Sequence, residues 1–149
     1  MRIGDFYSPA ALTARPDQAL AEAAHAMLES HVGALVVVEQ GTAGRRPIGI
    51  LTDRDIVRGQ LRLSADLFCL TVSDVMTPDP LTLTLDVSTT EAIEAMHARA
   101  VRRVPVVDGS GNLRGIVTLD DLVPAVSREL EELATLIGRQ ARHERAHVA

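Results

Sequence analysis

Apolar and polar positions along this chain fall into a pattern that occurs twice. Residues 81–85, Leu-Thr-Leu-Thr-Leu, alternate apolar and polar and predict a strand. Residues 11–14 hold the same place in the first half. Apolar positions at helical spacing follow each: Leu20, Ala23, Ala24 and Met27 in one half, Thr89, Ala92, Ile93 and Met96 in the other. This i, i+3, i+4, i+7 stripe predicts a helix with one buried face. Ser88-Thr-Thr-Glu91 fits a capping box that satisfies open N–H groups at the helix start. The β-branched runs 35–38 and 104–107 predict buried strands. Turns rich in Gly and polar residues follow at 41–44 and 108–112, then third strands at 48–52 and 113–118. Short helices are expected from Asp53 and from Leu119. Each half therefore reads β-α-β-β-α.

The repetition extends to identities. Shifted by 69 residues, Leu12 falls on Leu81, Asp17 on Asp86, Ala23 on Ala92, Met27 on Met96 and Val37-Val38 on Val106-Val107. The offset then shortens by three, and Gly49-Ile50, Thr52 and Asp55 fall on Gly115-Ile116, Thr118 and Asp121. The extra residues lie in 40–46, where a hairpin loop absorbs an insertion at little cost. Residues 60–68 connect the halves, and Asp74-Val-Met-Thr-Pro78 leads into the second. A further helix is expected from Pro124 to about Gln140, with Leu130, Leu133, Leu136 and Ile137 forming an apolar stripe. The charged last nine residues are expected to fray. The division expected is 1–70 for the first repeat with its connector, 71–125 for the second, and 126–149 for the terminal helix and tail, all within one compact module.

Length and composition fit this picture. The chain has 149 residues, 46% hydrophobic and 23% charged, enough for a real core and not the profile of a disordered chain. Aromatics are 2%, namely Phe6, Tyr7 and Phe68, too few for a protein that works by stacking bases or sugars. A net charge of −5 argues against a general nucleic-acid binder but leaves room for a local basic pocket. There is no signal-like N-terminus, and the longest apolar runs, such as 34–38, fall far short of a membrane span. A cytoplasmic protein without membrane contact is expected. The single Cys69 has no disulfide or CxxC partner and no neighbouring base; it is expected as a buried or partly buried apolar residue. His143-Glu-Arg-Ala-His147 matches the H-E-x-x-H zinc pattern, but it stands two residues from the end of the sequence with no third ligand beyond it. No metal site is expected there, nor at His25, His31 or His97.

Gly49-Ile-Leu-Thr-Asp-Arg-Asp55 and Gly115-Ile-Val-Thr-Leu-Asp-Asp121 share a G-h-h-[ST]-x-x-D form. With Asp74-Val-Met-Thr-Pro78 and Arg102-Arg-Val-Pro-Val-Val-Asp108, they give the chain a close resemblance to the CBS (cystathionine-β-synthase-type) domain pair, or Bateman module, over residues 8–125. The longer hairpin at 40–46, and Gly33-Ala34 where the second repeat has Arg102-Arg103, depart from a symmetric pair. No enzyme or transporter sequence is attached, so a free-standing member is expected. The resemblance implies an α/β fold of two β-α-β-β-α repeats related by a pseudo-two-fold axis, with their sheets packed together. It also implies regulatory, non-catalytic binding of adenosine-type nucleotides (AMP, ADP, ATP, NAD or S-adenosylmethionine), a homodimer, and an unknown regulated protein. Small residues at Ala19, Ala23, Ala26, Ala92 and Ala95 would permit close helix approach in that dimer.

In the family each cleft joins the Thr/Asp motif of one repeat to residues before the central strand of the other. Carried over, the first site joins Ile50, Thr52, Arg54 and Asp55 to Val101, Arg102 and Arg103. The second joins Ile116, Thr118, Asp120 and Asp121 to Val32, Gly33 and Ala34. The chemistry suits such ligands. A threonine hydroxyl donates to a phosphate oxygen, open N–H groups at a helix start favour anions, and a nearby aspartate accepts from ribose hydroxyls. The arginines make the first site the better binder of phosphate. Taken singly, each Thr/Asp pair reads equally as a helix cap with a first-turn carboxylate. Two other functions stay open: a dimerising scaffold without ligand, and, less favoured, an enzyme using Asp53, Asp55, Asp120 and Asp121 with a metal.

Overall fold

The computed structural model describes the backbone of residues 1–147 and the side chains of residues 1–140. The His143 and His147 side chains thus lie outside the described residues. The first repeat runs β1 (Thr13–Ala14), α1 (Leu20–Glu29), β2 (Ala34–Gly41), β3 (Gly44–Thr52) and α2 (Asp53–Leu63). A link follows, with α3 (Val72–Val75) and β4 (Thr77–Pro78). The second repeat runs β5 (Leu83–Thr84), α4 (Thr89–Arg99), β6 (Arg103–Val107), β7 (Leu113–Thr118) and α5 (Leu119–His147). The sheets are ordered β1-β2-β3-β4 and β5-β6-β7, and β3 approaches β7. Both halves keep the expected β-α-β-β-α order. Even the irregularity repeats: a bulge between Val37 and Val38 recurs between Val106 and Val107.

Each repeat has its own core. Leu20, Ala23, Met27, Leu35, Val37 and Leu51 form the first; Ala92, Met96, Val104, Val106, Val117 and Leu122 form the second. The helix stripes supply one wall and the β-branched strands the other, as period 3.6 and buried-strand patterns require.

The segments that precede the repeats cross over. Ile3 is fully buried in the second core, and the Ile3 and Gly4 amides donate to Val87 and Leu85 carbonyls. In the mirrored place, Val72 is buried in the first core, and the Val72 and Ser73 amides donate to Gln18 and Pro16 carbonyls. Ser8 bridges Ile116 just as Thr77 pairs with Ile50. The signature glycines make room for this. A Cβ on Gly49 would lie 2.8 Å from Met76 Sδ and 3.0 Å from the Thr77 carbonyl oxygen. A Cβ on Gly115 would overlap the Ser8 carbonyl oxygen and lie 2.7 Å from the Tyr7 ring.

The lengthened hairpin also acquires a partner. Arg46 donates to the Ser110 carbonyl at 3.1 Å, so the inserted loop leans on the turn of the second repeat.

Three expectations are corrected. Cys69 is exposed, because the connector's apolar contacts are made by Ala65, Leu67 and Leu70 instead. The short helix at Leu119 and the helix from Pro124 are one continuous helix, α5. Pro124 lies inside it and forfeits the bond that an N–H there would make one turn back. Finally, Ala23 and Ala92 are fully buried in their own repeats, so they offer no surface for a dimer.

Candidate functional site

Each central antiparallel pair ends where a helix starts, and the site is built on that junction. Thr52, the last residue of β3, caps α2: its hydroxyl oxygen accepts from the Asp55 amide at 3.1 Å, and Asp55 accepts from the Thr52 amide at 2.9 Å. Thr118 and Asp121 repeat this at the end of β7, at 3.3 and 2.8 Å. The capping reading of both pairs is therefore realised. It does not use up the groups equally. The Thr118 hydroxyl also donates to Asp121 Oδ2 at 2.8 Å. Among the described residues the Thr52 hydroxyl has no such acceptor, so its proton is available to a ligand.

The Thr52–Asp55 junction opens onto a cleft of about 580 Å³ between the repeats. Its walls include Ile50, Thr52, Arg54 and Asp55 from one repeat and Val101, Arg102 and Arg103 from the other. The two sets assigned together from the family resemblance are thus neighbours. The geometry follows from local structure. The backbone before β6 is tied to its own repeat, because the Leu119 amide donates to the Arg102 carbonyl at 2.9 Å. The side chains of Arg102 and Arg103 are then left to line the cleft that faces the other repeat's Thr/Asp junction.

The sequence reading missed other walls. The link contributes residues 77–81, and the helices contribute Arg58 and Arg99. Arg58 stands one turn after Arg54, a spacing that puts both on one helix face and was legible. Arg99 precedes Ala100, whose left-handed φ of 51° ends α4 and turns the chain toward β6. At the mouth, Arg99 pairs with Asp79 at 4.0 Å. Five arginines face three aspartates around this cleft, a local excess of positive charge on a chain of net charge −5.

The second set corresponds to the first through the sequence repeat and differs in kind. Where the first cleft has Arg54, Arg58, Arg99, Arg102 and Arg103, the repeat places Asp120, Pro124, Ser30, Gly33 and Ala34. All five cations are absent from the corresponding positions. Val32 is exposed, Ile116, Gly33 and Ala34 are half-buried, and the Ile116 amide and carbonyl both bond to Ser8. The two sets also abut: a Cβ on Gly33 would lie 3.5 Å from Asp53 Oδ2 and 3.8 Å from an Arg103 terminal nitrogen.

Among the described residues no group of three or more His, Cys, Asp or Glu side chains has metal-binding geometry, and no helix is long and apolar enough to cross a membrane.

A family model for the CBS domain matches residues 3–62 and 72–128. The CBS domain-containing protein YhcV of Bacillus subtilis is 36% identical over 135 residues, which is 91% of each chain. An uncharacterized protein of Methanopyrus kandleri, MK0525, is 31% identical over 121 residues; the match covers 81% of this chain and only 60% of that relative's length. Among solved structures, CBSX2 in complex with AMP superposes with a TM-score of 0.72 at 26% identity, covering 85% of this chain and 96% of the other. Two matched segments, each with its own core and its own Thr/Asp-capped helix, leave one conclusion: this chain belongs to the CBS domain family, as a tandem pair of repeats.

Proposed function

We propose that this chain is a non-catalytic regulatory module whose first cleft takes a phosphate-bearing adenosine nucleotide. One observation carries the reading: five arginines drawn from both repeats surround the Thr52–Asp55 junction. Thr52 offers its hydroxyl proton to a phosphate oxygen, and the arginines make charge-assisted bonds to the same group. Asp55 keeps an oxygen free of the cap, which accepts from ribose hydroxyls. Pro105 on β6 has no N–H, so the Leu81 carbonyl lacks the bond that the Leu12 carbonyl takes from the Val36 amide. Leu81 lines the cleft, and its carbonyl is a backbone acceptor for the adenine amino group. The AMP complex of CBSX2 supports a ligand of this class.

The second set of residues, with Asp120 and Asp121 and no arginine at the corresponding positions, does not hold phosphate. Ligand in the first cleft bridges the two repeats, and their relative placement is what a regulated protein reads.

Isothermal titration with adenosine, AMP, ATP, NAD and S-adenosylmethionine tests this. The expected result is binding of AMP, ATP or NAD, weak or no binding of adenosine and cationic S-adenosylmethionine, and no product by chromatography. Turnover would point to the enzyme reading, and silence across the series to the scaffold.

A further inference from the structure

The two central hairpins meet at their tips, and the contact is built. β2 and β3 have eight and nine residues where β6 and β7 have five and six. Three extra residues per strand add about 10 Å of reach. That reach brings Arg46 to the turn at 108–112, where it donates to the Ser110 carbonyl at 3.1 Å. A Cβ on Gly111 would stand 3.7, 3.8 and 3.9 Å from Arg46 Nη2, Nε and Cζ, near-equal distances that lay the guanidinium plane against that glycine. Gly44, with a φ of 144°, lets Asn112 come so close that a Cβ would lie 2.8 Å from its Oδ1. The receiving turn is itself braced. Asp108 Oδ1 accepts from the Ser110 and Asn112 amides at 2.9 and 3.0 Å, which fixes the direction of the Ser110 carbonyl.

This clasp and the first cleft stand at opposite ends of the same strands. β3 runs from Gly44 at the clasp to Thr52 at the cleft, and β6 runs from Arg103 at the cleft to Val107 at the clasped turn. From Arg46 to Thr52 the strand spans roughly 20 Å. Between the two ends β3 approaches β7. Each hairpin is a hydrogen-bonded ladder and moves as one piece. Tilting one hairpin against the other about the β3–β7 contact therefore changes two things at once: the clasp at one end, and the spacing of Thr52 from Arg103 at the other. We propose that the Arg46 clasp holds the first cleft at its ligand-binding aperture, which makes Arg46 a positioning residue for a nucleotide it does not touch. The proposal rests on the nucleotide reading of that cleft. With the clasp broken, the repeats sample more placements, and apparent affinity falls with the fraction that still presents both walls together. The field of the Arg46 charge does not account for such a loss, because roughly 20 Å is more than twice the screening length of about 8 Å at physiological salt.

AMP titration of three variants, well below their melting temperatures, tests this. Arg46→Ala is expected to bind AMP about fivefold more weakly, the low end of coupling between separate sites. That factor should be the same at low and high salt, because the lost bond goes to a neutral carbonyl. Arg46→Lys keeps a donor and should recover most of the affinity. Arg45→Ala removes the same charge one residue away, but its contact is to Thr13 within its own repeat, so it should bind like the wild type. Wild-type affinity in Arg46→Ala overturns the proposal, as does a factor that vanishes with salt or an equal loss in Arg45→Ala. A ligand-free readout keeps the clasp separate from the nucleotide reading. Nitroxide labels at Leu61→Cys and His97→Cys, in Cys69→Ser protein diluted into unlabelled chains, report the distance between α2 and α4 and so between the repeats. Arg46→Ala should broaden that distribution, and AMP should narrow it again. If the wild type does not bind AMP, the nucleotide reading fails and the label distances alone judge the clasp: a distribution unchanged by Arg46→Ala overturns it.

Discussion

The Thr118 hydroxyl donates to Asp121 at 2.8 Å, a bond that Thr52 does not make to Asp55. Both threonines cap helices, so alanine at either should cost about 0.5–2 kcal/mol of stability. Ligand binding separates them. Thr52→Ala is expected to weaken a phosphate-bearing nucleotide about tenfold, the worth of one hydrogen bond of roughly 1–1.5 kcal/mol. Thr118→Ala should spare it, and Thr52→Ser should restore it. Titration of the three variants decides; if Thr118→Ala alone abolishes binding, the cleft has been assigned to the wrong motif.

Arg103 carries the second prediction. It lines the first cleft from the opposite repeat. Losing a charge-assisted contact of about 1.5–3 kcal/mol means roughly ten- to hundredfold weaker binding of AMP or ATP by Arg103→Ala. Because these side chains are exposed, the wild-type affinity should fall with added salt. Salt-independent affinity, or an Arg103→Ala variant that binds normally, would remove the arginines from the account.

A pair of glycines gives a stability test free of ligand. Gly115→Ala forces a methyl group against the Ser8 carbonyl and the Tyr7 ring. Overpacking of this kind costs about 1–3 kcal/mol, a fall of roughly 2–12 °C in melting temperature at this chain length. Gly109 has nothing within 4 Å of its Cβ position, and Gly109→Ala should stay within about 0.5 kcal/mol of wild type. Equal melting temperatures for the two variants would contradict the close approach at Gly115.

Acid should destabilise the fold in a defined way. Amide donors, chiefly that of Asn112 with Ser110 in support, hold the Asp108 carboxyl below its ordinary range. Bonds from Thr71 do the same for Asp74, and bonds from Ser88 for Glu91. A carboxylate depressed in the folded state contributes stability above its unfolded value, and that contribution is lost as pH falls through the folded value. Melting temperature should therefore be flat near neutrality and drop below about pH 4.5. Asp108→Asn should lower the plateau and flatten the drop; a parallel curve for that variant would show that the turn does not depend on the charge.

These tests rest on parts of the molecule that were unequally legible. Helix stripes and β-branched runs announced both cores, because period and burial are written directly in residue type. The meeting of Thr52 with Arg102 and Arg103 was not, since no local pattern tells which repeat faces which. Only the family resemblance paired them, and the cleft now groups the same residues. Residues 3–8 were passed over, although Ile3, Asp5, Ser8 and Pro9 stand 69 residues before Val72, Asp74, Thr77 and Pro78. Continuing the same shift to the start of the chain would have exposed the arm. Cys69 was misjudged because average burial of a residue type says nothing about a connector whose neighbours already fill the core.

The crossed arms also bear on how the protein comes off the ribosome. Ser8 finds its partner at Ile116, over a hundred residues later. At about 5–20 residues per second, that wait is roughly 5–20 s. Through that interval Ile3 and Phe6 are apolar side chains with no core to enter. The first repeat need not wait as long, since its own edge arrives with Thr77 and Pro78. Synthesis therefore delivers the module in two unequal stages, a nearly complete first half preceded by a loose apolar arm, and then a second half that closes only when residues 3–8 fold onto it.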